Sequence, residues 1–193
     1  KEYIQSRGQH FESFTDSVFT VLADQEIDRL FIDLRGNTGG WTAYGKYLFC
    51  YFIDQPTPYF ESVTTKKYND FSFDPIKLVD PNYLDSFELE RNELGLYAWK
   101  NYPSLMAYPA EKNRFHGDTY ILVDNMTRSC SGVFSALMRT NTNAIFIGEE
   151  TGTAMCGPNG MVCHIELPHS KIRISFGTAQ YTCAIKDPTY SRG

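Results

Sequence analysis

Two short segments of the chain combine residues that could do chemistry. Asn37 to Gly40 reads N-T-G-G and directly follows an apolar run, and Ser129 with Cys130 stands at the predicted start of a helix. The first N–H groups of a helix have no partner within it, so such a turn favours developing negative charge. Ser129 could therefore be a nucleophile, with the Cys130 N–H and the glycine-rich turn forming an oxyanion hole.

Both segments also have ordinary structural interpretations. A serine that precedes a helix is commonly its N-cap, because its hydroxyl can accept an N–H bond from the first turn. A Gly-Gly pair is commonly only a turn. Residue types alone leave both interpretations open, so the surrounding elements have to be considered.

The first segment belongs to a strand–turn–helix unit. The apolar spacing predicts an amphipathic helix over 11–22 with a stripe formed by Phe11, Phe14, Val18, Val21 and Leu22. The continuous apolar run 29–34 is typical of a strand that is covered on both faces. A second helix is predicted from Thr42 to Phe52, ahead of a Pro-Thr-Pro segment.

The second segment lies in a similar unit. A strand is predicted over 119–124, a helix over 132–140, a strand over 144–147 and a hairpin over 161–176. The stretch 57–116 carries scattered prolines, with a strand-like run at 59–64 and a predicted helix from Phe87 to Lys100, and is interpreted as an insertion or lid. A short strand is also predicted at residues 2–5.

Composition narrows the classes of function. The chain has 193 residues, 15% aromatic and 42% hydrophobic, with a formal charge of −5. This indicates one compact domain without a basic surface for nucleic acid, and no stretch is long enough to cross a bilayer. The five cysteines form no CxxC pair and are interpreted as buried thiols. No metal site is expected, because alternation sends Cys163 and His164 to opposite faces of a strand, and no cofactor is expected either.

Four motifs, in order, resemble those of the tail-specific (C-terminal processing) serine peptidases and the related tricorn core domain. Residues 33–40 read DLRGNTGG, similar to that family's D-L-R-x-N-x-G-G signature. Residues 120–132 read YILVDNMTRSCSG, similar to its nucleophile segment. Residues 147–152 read IGEETG and residues 167–173 read LPHSKIR, similar to its I-G-E-x-T-G and L-P-N-S segments.

The resemblance implies an α/β fold, namely a crotonase/ClpP-like ββα spiral core with an inserted lid-like segment. It implies a single peptidase core over 1–193 without the PDZ module that is common in the family. In the implied mechanism Ser129 attacks a peptide carbonyl, and the N–H groups of Gly39 and Cys130 hold the oxyanion, with Gly40 supporting the turn. Asp33 and Arg35 are interpreted as a structural pair that orders this turn.

The general base departs from the family's pattern. One branch uses a lysine, but the matching position here is Ala154, and no lysine occurs between Arg139 and Lys171. The tricorn branch uses a histidine in a Y-I-H context, where this chain has Gln5. His10 is the nearest substitute, with a solvent-facing or helix-capping histidine as the alternative.

The other candidates for acid–base chemistry are weaker. His116, His164 and His169 are predicted to lie at the surface. Asp187, near the end of the sequence, could orient a histidine base.

The leading functional hypothesis is therefore a serine peptidase core that cleaves peptide or protein substrates through an acyl-enzyme on Ser129. The alternative is an inactive homologue that binds peptides by strand addition. The resemblance also implies an extracytoplasmic location, in the bacterial envelope or beyond. Oligomeric state is left open.

Overall fold

A computed structural model of the protein describes residues 10–66, 88–154 and 157–185. The predicted strand at 2–5, Cys156 and Asp187 lie outside these ranges. The described helices are α1 (Phe11–Asp24), α2 (Thr42–Phe49), which continues as a 3-10 turn over Cys50–Phe52, and α3 (Cys130–Asn141). The described strands are β1 (Arg29–Asp33), β2 (Thr57–Pro58), β3 (Phe60–Thr65), β4 (Leu89–Arg91), β5 (Tyr97–Trp99), β6 (Met106–Ala107), β7 (Asp118–Val123), β8 (Ile145–Gly148), β9 (Asn159–Glu166) and β10 (Arg173–Cys183).

A three-stranded parallel sheet positions the two turns that could carry chemistry. Its strand order is β1-β7-β8, with Asp33 beside Leu122 and Val123 beside Gly148. The carboxyl ends of parallel strands meet at one edge of a sheet, which is where ligands bind in open α/β folds. The turns that follow β1, β7 and β8 are therefore neighbours in space although they are far apart in sequence.

A second sheet is antiparallel and has the strand order β4-β5-β3-β10-β9. The predicted hairpin is confirmed: β9 and β10 pair with Cys163 opposite Phe176. Strand β3 lies at the centre of this sheet, so part of the stretch 57–116 belongs to it. A role of this stretch as a lid over the site stays a prediction.

The core lies where α3 packs among aromatic side chains. Every residue of α3 from Cys130 to Met138 is buried, so this helix is enclosed on all sides. The fully buried side chains around it include Phe49, Tyr59 and Phe60. Because a buried side chain of this size contributes about 1.5–3 kcal/mol, this cluster holds the start of α3 firmly.

The helix predicted from Phe87 to Lys100 is wrong in the described part, where β4 and β5 form an antiparallel pair. The turn between them runs from Asn92 to Gly95. The Asn92 side chain accepts the Leu96 N–H at 2.9 Å, and Gly95 has a φ of +76°. Turn-forming residues at these positions outweigh the helix-forming residues around them, because a left-handed backbone ends a helix.

The buried faces of two predicted elements also differ from expectation. Strand β1 is not covered on both faces, since Phe31 is 62% exposed and stacks on Tyr120 with ring centroids 4.7 Å apart. In α1 the buried residues are Thr15 and Phe19, whereas Phe14 and Val21 of the predicted stripe are half-exposed. Phe19 stacks on Tyr51, and the Thr15 hydroxyl donates to the Phe11 carbonyl at 2.8 Å, so this polar residue can be buried on the inner face.

The α/β class predicted from the sequence is confirmed, with two units in which a strand, a tight turn and a helix follow one another. None of the described helices has the length and apolar character that a bilayer span requires.

Candidate active site

The turn after β1, residues 33–40, is called the glycine turn here, and the turn after β7, residues 124–131, the nucleophile turn. The glycine turn begins with an ion pair in which Arg35 Nη2 lies 2.7 Å from Asp33 Oδ2. The hydrogen bond from Arg35 lowers the pKa of Asp33 from 3.8 to about 2. The same carboxylate accepts the Arg35 backbone N–H at 3.1 Å, so the pair orders the first residues of the turn.

Backbone bonds hold the two turns against each other. The Asn37 carbonyl accepts the Arg128 N–H at 3.0 Å, and the Ser131 hydroxyl lies 2.7 Å from the same oxygen. The Asp124 carboxylate accepts the Gly36 N–H at 3.0 and 3.1 Å, and this bond lowers the pKa of Asp124. The turns therefore form one connected structure.

Thr127 is the buried link between the two strands that lead into these turns. Its hydroxyl donates to the Leu34 carbonyl at 2.9 Å and accepts the Asp124 N–H at 3.1 Å. The residue is fully buried. Since a buried polar group is costly without partners, this hydroxyl fixes the relative position of the turns.

Gly39 packs closely against the nucleophile turn. Its φ is +95°, and a Cβ at this position would lie 2.6 Å from the Arg128 carbonyl oxygen, 2.7 Å from Ser129 Cβ and 2.9 Å from Cys130 N. Only glycine fits there, for reasons of both backbone conformation and space. The Gly39 N–H donates to Asn37 Oδ1 at 2.9 Å, so this predicted oxyanion donor already has an acceptor within its own turn.

Ser129 is the N-cap residue of α3 by position, but its side chain makes no capping bond. Its φ of 54° and ψ of −125° are unusual for a residue with a side chain. Such strain, on the order of 1–3 kcal/mol, persists where the surrounding structure enforces it. The strand–turn–helix context and the left-handed φ are those of a nucleophile turn, in which the hydroxyl is presented at the mouth of a helix.

The loop after β8 supports Ser129 from the other side. Thr153 Oγ1 accepts the Ser129 N–H at 2.6 Å. The approach requires a glycine at 132, since a Cβ there would lie 2.6 Å from Thr153 Cβ. Gly152 N–H donates to the Thr127 carbonyl at 3.1 Å. The segment 147–152 that resembles a family motif thus leads directly to a contact with the candidate nucleophile.

Two backbone N–H groups at the site have only a weak acceptor. In residues 10–66, 88–154 and 157–185 no oxygen or nitrogen acceptor is described for the N–H of Gly40 or Cys130, and both groups face the Cys130 sulfur, where their bonds lower the thiol pKa against the larger effect of burial. The Cys130 N–H belongs to the first residue of α3, where the helix provides no acceptor. These two groups are the least strongly bonded donors of the site.

An apolar cavity of about 350 Å³ adjoins both turns. It is lined by Asn37, Gly39, Gly40 and Cys130 on the side of the turns. The apolar lining residues are Phe11, Leu34, Trp41, Tyr44, Leu48 and Phe134. The Tyr44 ring stacks on Phe11 with centroids 4.5 Å apart, so aromatic surface forms one wall.

His10 lines the same cavity as an exposed residue at the N-cap of α1, and its side chain makes no capping bond. Within the described ranges, no histidine, lysine or carboxylate side chain hydrogen-bonds the Ser129 hydroxyl. The polar contact described for Ser129 Oγ is with Cys130 Sγ, at 4.0 Å. Ala154, at the position of the family's lysine, is exposed.

The other candidate residues lie away from these turns. His116 and His169 are exposed as predicted, whereas His164 is half-buried with its Nδ1 2.8 Å from Ser175 Oγ. Across the part of the chain that the structure describes, no three histidine, cysteine or acidic side chains are close enough together to hold a metal. Cys50 and Cys130 are free thiols, and Cys130, Cys163 and Cys183 are buried.

Three residues of the site were not singled out from the sequence: Asn37, Thr127 and Thr153. The motifs marked their segments, because Asn37 is the fixed asparagine of the first motif, Thr127 lies within the second and Thr153 directly follows the third. Each acts through a hydrogen bond to a distant turn, which spacing along the chain does not show.

Comparisons with known proteins show the family of this chain and its fold. Residues 3–178 match Peptidase family S41. The chain belongs to this family. No curated protein matches the chain.

Solved structures share the fold at low sequence identity. A candidate peptidase from Parabacteroides merdae has 17% identity and a TM-score of 0.58, covering 88% of this chain and 44% of that one. The photosystem II D1 C-terminal processing protease has 15% identity and a TM-score of 0.52, covering 95% and 37%. Mature CPAF in complex with lactacystin has 15% identity and a TM-score of 0.60, covering 90% and 39%. The S41 chain described here thus spans about two fifths of the length of these proteins.

Proposed function

We propose that this S41 domain is a serine peptidase core in which Ser129 is the nucleophile. The observation that carries the proposal is the left-handed backbone of Ser129 at the mouth of the buried helix α3, with a hydroxyl that does not cap the helix. A serine in an ordinary N-cap role would accept a bond from the first turn instead.

The oxyanion hole of the proposal uses the N–H groups of Cys130 and Gly40, which face only the Cys130 sulfur, a weak acceptor. The Gly39 N–H joins them when the Asn37 side chain releases it. Donors that are fixed before the reaction stabilise the tetrahedral intermediate without reorganisation, and losing one typically costs about 10²–10³ in rate.

His10 is the proposed general base, because it is the histidine that lines the cavity beside both turns. It removes the Ser129 proton directly or through one water as Oγ attacks the peptide carbonyl carbon. The same proton passes to the amine as the C–N bond breaks, and a water then hydrolyses the acyl-enzyme. A histidine base corresponds to the tricorn-like branch of the resemblance, which also supports an extracytoplasmic location for this protein.

The cavity supports a preference for peptides with an apolar side chain next to the scissile bond. Its aromatic wall and its volume of about 350 Å³ suit a large apolar side chain. The photosystem II D1 protease is a C-terminal processing protease, and processing near a C-terminus is proposed for this chain by likeness alone.

A specific observation favours a second candidate, an inactive homologue that binds peptides. The hydroxyl of Ser129 has no basic partner among the described residues, and the lysine position is Ala154. Such a protein would bind a peptide as an added strand at a sheet edge without cleaving it.

Intact-mass labelling with a fluorophosphonate probe separates these candidates, since only an activated serine reacts quickly. We expect labelling of the wild type, none of Ser129→Ala, and a large loss in His10→Ala. The matched controls are Ser17→Ala and His116→Ala, at exposed positions away from the cavity. A folded wild type that is not labelled would contradict the peptidase, and full labelling of His10→Ala would contradict the assignment of the base.

A further inference from the structure

The thiol of Cys130 bridges the glycine turn and the nucleophile turn. Its Sγ–H donates to the Gly40 carbonyl at 2.7 Å, and Sγ lies 4.0 Å from Ser129 Oγ. The side chain is buried and lines the cavity. The Cys130 side chain therefore connects the start of α3 to Gly40, the last residue of the glycine turn.

The backbone position of Gly40 depends on this hydrogen bond more than that of Gly39 does. Gly39 is wedged against the nucleophile turn, with the Ser129 and Cys130 backbone in close contact. A Cβ on Gly40 would meet nothing within 4 Å, so packing does not fix this residue on that side. A glycine with open space beside it has wide backbone freedom unless a hydrogen bond restricts it.

The chemistry of the thiol suits a donor rather than a second nucleophile. Burial raises the pKa of Cys130, so the sulfur stays protonated at neutral pH. A protonated thiol can donate to a carbonyl, whereas a thiolate would repel it.

We propose that Cys130 is a positioning residue whose S–H fixes the Gly40 carbonyl and thereby aims the N–H groups of Gly40 and Cys130. The part that concerns catalysis rests on the proposed peptidase function. The part that concerns the turn does not, because it follows from the contact between Cys130 and Gly40.

Two variants separate the effect of losing the S–H donor from the effect of losing side-chain volume. Cys130→Ser keeps a donor at the same place, whereas Cys130→Ala removes it. Cys163→Ala is the matched control, since Cys163 is a buried cysteine in a separate apolar cluster with Met161 and Phe176. If Cys130→Ala does not fold, Cys130→Val replaces it, because valine fills the space without donating.

The readout for the turn is ¹⁹F NMR of protein labelled with 5-fluorotryptophan. The chain has two tryptophans, and Trp41 directly follows Gly40 and is 58% exposed. A Trp41→Phe variant assigns its resonance, and the buried Trp99 reports on the fold as a whole.

We expect Cys130→Ala to shift or broaden the Trp41 resonance while Trp99 is unchanged, and Cys130→Ser to restore it. A Trp41 resonance that is unchanged in folded Cys130→Ala, or that moves equally in Cys130→Ser, would overturn the proposal.

The readout for catalysis is the rate constant of fluorophosphonate labelling at Ser129. We expect Cys130→Ala to react about three- to tenfold more slowly, the size expected for one lost hydrogen bond, and Cys130→Ser to stay within about twofold of wild type. Equal rates in wild type and Cys130→Ala would overturn the catalytic part. If the wild type is not labelled at all, the peptidase function fails, and the ¹⁹F result alone decides whether the thiol positions the turn.

Discussion

Replacing Gly39 with alanine tests whether the two turns depend on their close approach. The left-handed backbone of Gly39 costs an alanine about 1–2 kcal/mol. The new Cβ would also lie 2.6–2.9 Å from atoms of Arg128, Ser129 and Cys130, two of them backbone atoms, so the turns must separate. Overpacking of this kind costs a further 1–3 kcal/mol or so, giving a total loss of about 2–5 kcal/mol in the free energy of unfolding.

The matched control is Gly36→Ala in the same turn. Gly36 has a φ of +71°, but a Cβ there would meet nothing within 4 Å. The free energy of unfolding of this variant should therefore fall only by the cost of the left-handed backbone, about 1–2 kcal/mol. The difference between the two variants isolates the steric contact between Gly39 and the nucleophile turn.

Both variants can be measured by urea unfolding and by fluorophosphonate labelling. Gly39→Ala should remain folded, because domains of this kind have about 5–15 kcal/mol of stability, yet its labelling should fall about 100-fold as an oxyanion donor moves away. Gly36→Ala should label within about threefold of wild type. Equal stability and equal labelling of the two variants would refute the steric reasoning.

Two further predictions concern the ends of the parallel strands. Thr127→Val should lower the free energy of unfolding by about 2–4 kcal/mol, because two buried backbone groups lose the hydroxyl that pairs with them. Thr119→Val is its control, at a buried threonine whose hydroxyl has no bond among the described residues, and a comparable loss there would contradict the argument. The Arg35 pair lowers the pKa of Asp33 from 3.8 to about 2 in the folded protein, so the unfolded chain binds more protons as the pH falls between these values. Wild-type stability should therefore decrease from about pH 4 to about pH 2, and urea unfolding of Asp33→Asn should show a shallower decrease; parallel curves would contradict this.

The sequence predicted the parts of the fold that local patterns control. Strands followed by tight turns and helices were placed correctly around Asp33 and Ser129, because apolar runs and turn residues mark them directly. The faces of α1 and β1 were wrong, since Phe31 and Phe14 are apolar yet exposed, and apolarity alone does not tell a buried side chain from an exposed one. The hairpin at Asn92 was missed because its turn residues stand among many helix-forming neighbours.

The meeting of the two turns was implied by the parallel strands, but their contacts were not. The strand register places Asp33 beside Leu122, so the glycine turn and the nucleophile turn, which begin at these strand ends, lie next to each other. The hydroxyl of Thr127 links the two turns, and the Cys130 thiol reaches the Gly40 carbonyl. Both contacts depend on side-chain packing between residues about 90 positions apart in the sequence. The sequence offers His10 as a base, but whether its side chain reaches Ser129 could not be predicted, because sequence separation says nothing about hydrogen-bond reach.

How much each backbone N–H group of the site can contribute to catalysis depends on the acceptor that it already has. The Gly39 N–H already has an acceptor in the Asn37 side chain, so a substrate oxygen gains from it only the difference between two hydrogen bonds. The N–H groups of Cys130 and Gly40 face only the Cys130 sulfur, a weak acceptor, so an oxyanion gains more from each of them. The motif that resembles the family's oxyanion turn centres on Gly39, yet in this chain the residues on either side of the cleft, Gly40 and Cys130, carry the more weakly bonded donors. The thiol of Cys130 joins those same two residues, which is why a contact outside the reaction itself bears on the rate.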